Sequence, residues 1–122
     1  MNELQIAAQF FYVYTFAKDT KLLFPIISHC YTAMRQKIEH LAPTFEQQLL
    51  KLQTKEEYGD DVHTLKELHL LMEDQKNAMM ELAKKDKLIF FDDHYHATQI
   101  SEKEALRYFQ KAKVFIGREL TF

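Results

Sequence analysis

Glycine and proline interrupt regular structure, and this chain of 122 residues contains only two of each. Sheets joined by tight turns need glycine where φ is positive, whereas helices need neither residue in their interiors. Hydrophobic residues make up 47% of the chain, which is enough for a packed core and too many for a disordered segment. The scarcity of both residues therefore predicts long helices joined by few loops.

Capping boxes, in which Ser, Thr or Asn precedes Glu or Gln by three residues, mark where helices begin. Three such pairs stand in front of predicted helices: Asn2 with Gln5, Thr44 with Gln47, and Ser101 with Glu104. Pro43 and Gly117 mark two of the helix ends. The predicted helices run from Asn2 to Ala17, from about Leu22 or Phe24 to Ala42, over residues 45–53, from about Val62 to Lys85, and from Glu102 to Gly117.

Apolar residues recur every three or four positions along two of these helices, which is the spacing of a buried helix face. The second helix has this stripe at Ile27, Tyr31, Met34, Ile38 and Leu41. The longest helix has it at Leu65, Leu68, Met72, Met79 and Leu82. We therefore predict an all-α fold: an antiparallel up-and-down bundle of four main helices plus one short helix, with residues 1–122 forming a single domain.

The first helix has no clear polar face, since its aromatic residues are almost consecutive. These residues are Phe10, Phe11, Tyr12, Tyr14 and Phe16. One side of such a helix fits the core of the bundle, and the other side suits a contact between subunits. The pattern predicts a homodimer that forms through this aromatic first helix.

Charge and cysteine content indicate the compartment and exclude some ligands. The net charge is -2 and the pI is near 6.3, so no overall basic field attracts nucleic acid. Cys30 is the only cysteine and cannot form an internal disulfide, which suits a reducing compartment. The N-terminal MNELQ lacks the basic residues of a secretory signal, and the apolar run after it is too short for a membrane span. We expect a cytoplasmic protein with no membrane contact and no cofactor.

The sequence FFDDHYH, at residues 90–96, contains the best candidates for metal ligands. Asp92, Asp93, His94 and His96 offer carboxylates and imidazoles, which are good ligands for zinc or a similar ion. The alternative is a solvated loop in front of the last helix, because a site needs three or four supported ligands.

The second helix contains the pattern R-x4-H, from Arg35 to His40. An arginine that binds phosphate and a histidine that moves a proton are sufficient for cleaving RNA without a metal. The alternative is a polar helix face in which Arg35 pairs with Glu39 at i,i+4. The same spacing predicts surface pairs between His63 and Glu67 and between His69 and Glu73.

Two segments of the chain resemble the HEPN superfamily of small, commonly dimeric helical bundles. SHCYTAMRQKIEHL, residues 28–41, looks like the second helix of the family, in which small residues and a tyrosine pack against the first helix. DDHYHATQISEKEALRYFQKAKVFI, residues 92–116, is similar to the end of many members: a tyrosine-containing loop, a capping residue and a terminal helix.

The resemblance implies association with nucleotide or RNA, often beside a nucleotidyltransferase partner, and for some members metal-independent RNase activity. In those RNases the R-x4-6-H motif usually lies later in the chain, whereas Arg35 and His40 lie on the second helix. We therefore expect a non-enzymatic HEPN-like binding or interaction module whose ligand is a protein partner, a nucleotide or RNA. The alternatives are an RNase that uses Arg35 and His40 and a metal-binding protein that uses residues 92–96.

Overall fold

The computed structural model describes all 122 residues, and helices account for 68% of them. Five α-helices and one three-stranded antiparallel sheet form the fold. In chain order the elements are α1 (Glu3–Ala17), α2 (Leu23–Ile38), α3 (Phe45–Gln53), α4 (Gly59–Lys76), β1 (Met80–Ala83), β2 (Lys87–Phe91), β3 (Ala97–Ser101) and α5 (Glu102–Gly117). The mainly helical prediction is confirmed, whereas the all-α prediction is wrong because of the sheet between α4 and α5.

The three predicted N-cap residues start α1, α3 and α5, and the two reciprocal bonds of a full capping box are present in α1 and α5. The Asn2 side chain accepts the N–H of Gln5 at 2.8 Å, and the Ser101 hydroxyl accepts the N–H of Glu104 at 3.1 Å. The Thr44 hydroxyl accepts the N–H of Gln47 at the start of α3. Each cap satisfies a backbone N–H that has no partner inside its own helix.

The predicted helix from Val62 to Lys85 is wrong beyond Lys76. The chain leaves the helix at Asn77, and β1 pairs with β2 so that Met80 lies opposite Phe91. Met, Glu, Leu and Ala, the residues of β1, are good helix formers, but β2 (KLIFF) is aromatic and branched and favours a sheet. Pairing with β2 overrides the local preference, so Leu82 lies on a strand and not in a helical core stripe.

Helix α2 is the centre of the fold, and α1, α4 and α5 pack around it. Its predicted stripe of Ile27, Tyr31, Met34 and Ile38 is buried, and Cys30 is completely buried beside it. One face of the sheet joins the same core through Leu88, Phe90 and Ile100. The hairpin thereby lies on the edge of the helical layer, with one sheet face on the core and the other outside it.

Candidate functional site

The loop predicted to hold a metal ion is the turn between β2 and β3. The Asp92 carboxylate accepts hydrogen bonds from the backbone N–H groups of His94 (2.8 Å) and His96 (2.9 Å). The His96 ring nitrogen Nδ1 lies 3.1 Å from the same carboxylate. The backbone N–H of His96 is the main cause that lowers the pKa of Asp92, because it stabilises the charged form. Asp92 therefore organises the turn as an acceptor for its backbone.

The other predicted ligands point into solvent. Asp93 and His94 lie 3.6 Å apart and are both largely exposed, and the ring centroids of His94 and His96 are 6.3 Å apart. No group of three or more His, Cys, Asp or Glu side chains in the structure is arranged to hold a metal ion. Metal binding by these residues stays a prediction.

Tyr95 lies at the tip of this turn with a positive φ of 63°. The left-handed conformation costs a non-glycine residue roughly 1–2 kcal/mol. The Tyr95 N–H donates to the Asp92 carbonyl, and the Asp92 carboxylate accepts the N–H groups of the residues on either side of Tyr95. Both the backbone and the side chain of Asp92 therefore stabilise the turn. The result is a tyrosine ring that is 85% exposed.

The structure does not join Arg35 and His40 by any hydrogen bond or ion pair. Arg35 donates to the Tyr31 hydroxyl at 2.9 Å, and its guanidinium carbon lies 4.2 Å from the centre of the Phe45 ring. The alternative pairing of Arg35 with Glu39 is also not formed. His40 lies in the 3₁₀ turn after α2 and is exposed. Arg35 therefore has a packing role between α2 and α3.

His69 completes this aromatic cluster, which the sequence did not predict. Its Nδ1 lies 2.7 Å from the Tyr31 hydroxyl, and its ring packs on Phe45 with centroids 5.0 Å apart. The predicted pair of His69 with Glu73 is consequently absent, whereas that of His63 with Glu67 forms at 2.6 Å. The two histidines have the same i,i+4 spacing to a glutamate, so the spacing could not distinguish them.

Acidic residues of α4 neutralise the basic face of α5. Asp60 pairs with Lys111 at 2.6 Å, and Asp61 pairs with Arg118 at 2.5 Å. Contact with Lys111 lowers the pKa of Asp60, whereas burial raises the pKa of Asp61 against the opposing effect of Arg118. These pairs join the two helices and leave little free positive charge on this side of the molecule.

Helix α1 keeps an apolar surface in contact with solvent, which we call the α1 stripe: Tyr12, Val13 and Phe16. These side chains are 67%, 49% and 73% exposed, and the rings of Tyr12 and Phe16 pack edge to face with centroids 5.0 Å apart. The opposite side of α1 places Ala7 and Tyr14 in the core. The helix therefore divides its aromatic residues between the core and a free surface.

A second apolar surface lies on the side of the sheet away from the core, and we call it the hairpin face. Its side chains come from alternate positions of the β1–β2 hairpin: Met80, Leu82 and Lys84 are exposed, Lys87 and Phe91 are partly exposed, and Ile89 is buried beneath them. Beside it, a depression of about 520 Å³ is lined by Met79, Met80, Phe91, Asp92, Asp93 and Tyr95. The sequence missed this surface because Met79 and Leu82 fitted a helical core stripe.

Comparison of the chain with protein-family models, curated proteins and solved structures found no match. None of the helices combines the length and the apolar character that crossing a membrane requires. The features that bear on function are therefore the two apolar surfaces and the partners of the predicted site residues.

Proposed function

We propose that this protein is a non-enzymatic, HEPN-like interaction module that forms a homodimer through helix α1. The observation that carries the proposal is the α1 stripe, whose three apolar side chains remain in solvent while the opposite side of the helix packs on α2. Exposed aromatic rings that adjoin one another mark contact surfaces more often than isolated apolar residues do.

A second copy is a suitable partner for this stripe. A two-fold axis across α1 places the same residues on both sides of the contact, so Tyr12 and Phe16 of each copy cover those of the other. Burial of each aromatic ring removes roughly 150–250 Å² from water, and flanking residues of α1 supply the remaining area that a stable interface needs.

The partners of Arg35 support a binding role over RNA cleavage. Its guanidinium is held by the Tyr31 hydroxyl and the Phe45 ring, whereas RNase chemistry needs an arginine free to contact phosphate. Reorienting it toward a substrate would separate it from both partners. This arrangement favours a structural role for the R-x4-H motif.

The ion pairs between α4 and α5 favour a protein partner over RNA. Arg107, Lys111 and Arg118 are the cations on that side, and each pairs with a carboxylate of α4. RNA gains most of its affinity from cations that are free to neutralise phosphates. The free apolar surfaces of the chain are better matched to a protein.

The proposal is tested by changing the α1 stripe and measuring mass by sedimentation velocity at micromolar concentration. Tyr12→Ser combined with Phe16→Ser converts the dimer to a monomer, because both aromatic anchors of each subunit are lost. Leu50→Ser is the matched control, since Leu50 is an apolar residue on α3 that is 62% exposed. It leaves the dimer unchanged. Equal masses for the wild type and the α1 double variant contradict the proposal.

The RNase alternative is tested separately by incubating the protein with RNA in the presence of EDTA. We expect intact RNA with the wild type. Cleavage that disappears in both Arg35→Ala and His40→Ala would contradict a non-enzymatic function. The Lys113→Ala variant serves as a control, because Lys113 is an exposed cation on α5 without an ion pair.

A further inference from the structure

Strand β1 is the edge of the sheet, and the backbone groups on its outer side have no partner strand. The Lys84 N–H donates to the Lys87 carbonyl at 2.8 Å, which fixes which residues of the hairpin are hydrogen-bonded to each other. Because antiparallel bonds alternate, Met80 and Leu82 bond to β2, whereas Glu81 and Ala83 direct their N–H and C=O groups away from it. All four residues of β1 are exposed.

Charge changes sign along the hairpin face. Lys84 and Lys87 lie at one end, Leu82 and Ile89 in the middle, and Asp92 and Asp93 beyond Met80 and Phe91 at the other end. None of the lysines of the hairpin forms an ion pair. The face is therefore basic, then apolar, then acidic along the direction of the strands.

We propose that β1 pairs antiparallel with β1 of a second copy of this chain, so that one continuous sheet runs through both copies. An antiparallel two-fold arrangement reverses the direction of the second hairpin. The basic end of each copy thereby meets the acidic end of the other, and the apolar middles meet at the axis. A strand that pairs with its own copy needs this kind of self-complementary surface.

One register between β1 and β1 of the second copy fits both the charges of the hairpin face and the outward backbone groups of β1. It places Leu82 opposite Leu82 of the second copy, and Glu81 opposite Ala83 of the second copy. The outward groups of Glu81 and Ala83 then form about four backbone hydrogen bonds between the copies.

The neighbouring registers are less favourable. A shift by two residues in one direction places Glu81 opposite its own copy, where the like charges repel. The same shift in the other direction places Leu82 opposite Lys84, so the apolar contact between the two Leu82 side chains is lost. The Leu82 register is therefore the one in which both charge and apolar contact are satisfied.

This contact is independent of the α1 homodimer, since β1 and the α1 stripe share no residue. It is also smaller, because it depends on a few backbone hydrogen bonds and a narrow apolar contact. We therefore expect it to form at higher concentration than the α1 contact, and its test uses the full-length Tyr12→Ser/Phe16→Ser variant. In this variant the α1 contact is lost, so association through the β1 contact can be measured by itself.

Amide hydrogen exchange at increasing protein concentration provides the first test. The amides of Glu81 and Ala83 exchange freely in the single copy and become protected as the concentration rises. The amide of Leu82 is the internal control, because it already bonds to β2 at every concentration. Protection of Glu81 and Ala83 that does not change with concentration overturns the proposal.

Charge exchange identifies the partner as a second copy. Asp93→Lys cancels the net charge of the acidic end, and Lys84→Glu cancels that of the basic end, so each variant alone associates at least several-fold more weakly than the parent. Mixed in equal amounts, the two variants form a heterodimer in which the intact basic end of one meets the intact acidic end of the other. At the opposite end the two substituted side chains, which carry opposite charges, meet each other, so association rises above that of either variant alone. Lys113→Glu on α5 is the control and changes nothing.

Mixing the two variants also distinguishes a second copy of this chain from a different protein bound to strand β1. If the strand binds a different protein, mixing the two variants does not raise the mass above that of either alone, and the proposal is overturned. Asp92 is left unchanged in all variants because it organises the turn.

Discussion

The Tyr108 hydroxyl donates a hydrogen bond to Glu67 at 2.5 Å, and the tyrosine is almost completely buried between α5 and α4. Tyr108→Phe removes the donor and leaves the carboxylate with fewer partners. We expect the free energy of unfolding to fall by about 1.5–3 kcal/mol, as for other hydrogen bonds to charged groups. Urea denaturation measures the change, and Tyr95→Phe is the control because that hydroxyl is exposed.

The effect of Tyr108→Phe depends on pH through Glu67. Burial alone would raise the pKa of Glu67, but the hydrogen bonds from Tyr108 and Arg107 outweigh it and hold the pKa below its ordinary value of 4.5. The stabilisation is complete above pH 4.5 and is lost as the pH falls through the lowered pKa. The difference between variant and wild type therefore shrinks in acid; a constant difference from pH 3 to pH 7 contradicts this account.

Cys30 is completely buried in α2, and burial raises the pKa of its thiol to about 12. The thiolate is the reactive form, so the native protein exposes neither the group nor its reactive state near neutral pH. We expect a thiol reagent at pH 8 to label Cys30 only when the protein unfolds. Rapid labelling of the native protein, at the rate of the denatured chain, contradicts the packing of α2.

Individual residues show which positions and contacts could be predicted from the sequence and which could not. Cys30 lies on the helix whose apolar stripe the sequence identified, and it is completely buried. The contact of Arg35 with Phe45 was not indicated by the sequence, and neither were the contacts of His69, because each joins two elements that meet only in the folded molecule. A residue pattern describes neighbours along the chain, and these contacts are between neighbours in space.

At the scale of elements, the capping box of α5 is a feature that the sequence predicted and the structure confirmed. Ser101→Ala removes the hydroxyl that accepts the Glu104 N–H. The expected cost is about 1 kcal/mol in the free energy of unfolding, measured by urea denaturation. Ser101→Thr keeps an acceptor and restores most of the stability. An equal loss in the free energy of unfolding for Ser101→Ala and Ser101→Thr would contradict a capping role.

The alternation of backbone bonds in β1 gives a sharper prediction for proline substitutions. Ala83→Pro removes an N–H that points away from the sheet, so it leaves the folded hairpin almost as stable as the wild type. Leu82→Pro removes an N–H bonded to β2 and destabilises the hairpin clearly more. Thermal unfolding compares the two variants, and the reverse order would show that β1 directs the other set of groups outward.

The hairpin was the element that sequence could not predict. Residues 80–85 read MELAKK, which are helix formers with the charge expected at a helix end. The competing signal was LIFF, residues 88–91, which prefers a sheet but gave no indication of its partner. Tertiary contacts of Leu88 and Phe90 with the core decide that β1 pairs with β2. The sequence therefore predicted neither the hairpin face nor the edge strand.

For the whole molecule, one filled core joins the helices to one face of the sheet, and apolar side chains of α1 and β1 remain outside it. The stripe of α2 was predicted correctly as core from its spacing, whereas the contact surface predicted on α1 stays a prediction. The exposed side of α1 was expected from its sequence, whereas the hairpin face, on which Met80 and Leu82 are exposed, was not. We therefore propose that the molecule self-associates, with a principal contact at α1 and a weaker one at β1.

The molar mass of the wild-type protein in solution tests this account most directly. Light scattering on the eluting protein at micromolar concentration, where the α1 contact is formed and the β1 contact is not, should give twice the 14.6 kDa of one chain. The Leu50→Ser control should give the same value. A mass of 14.6 kDa for the wild type, unchanged as the concentration rises tenfold, would contradict the homodimer through α1.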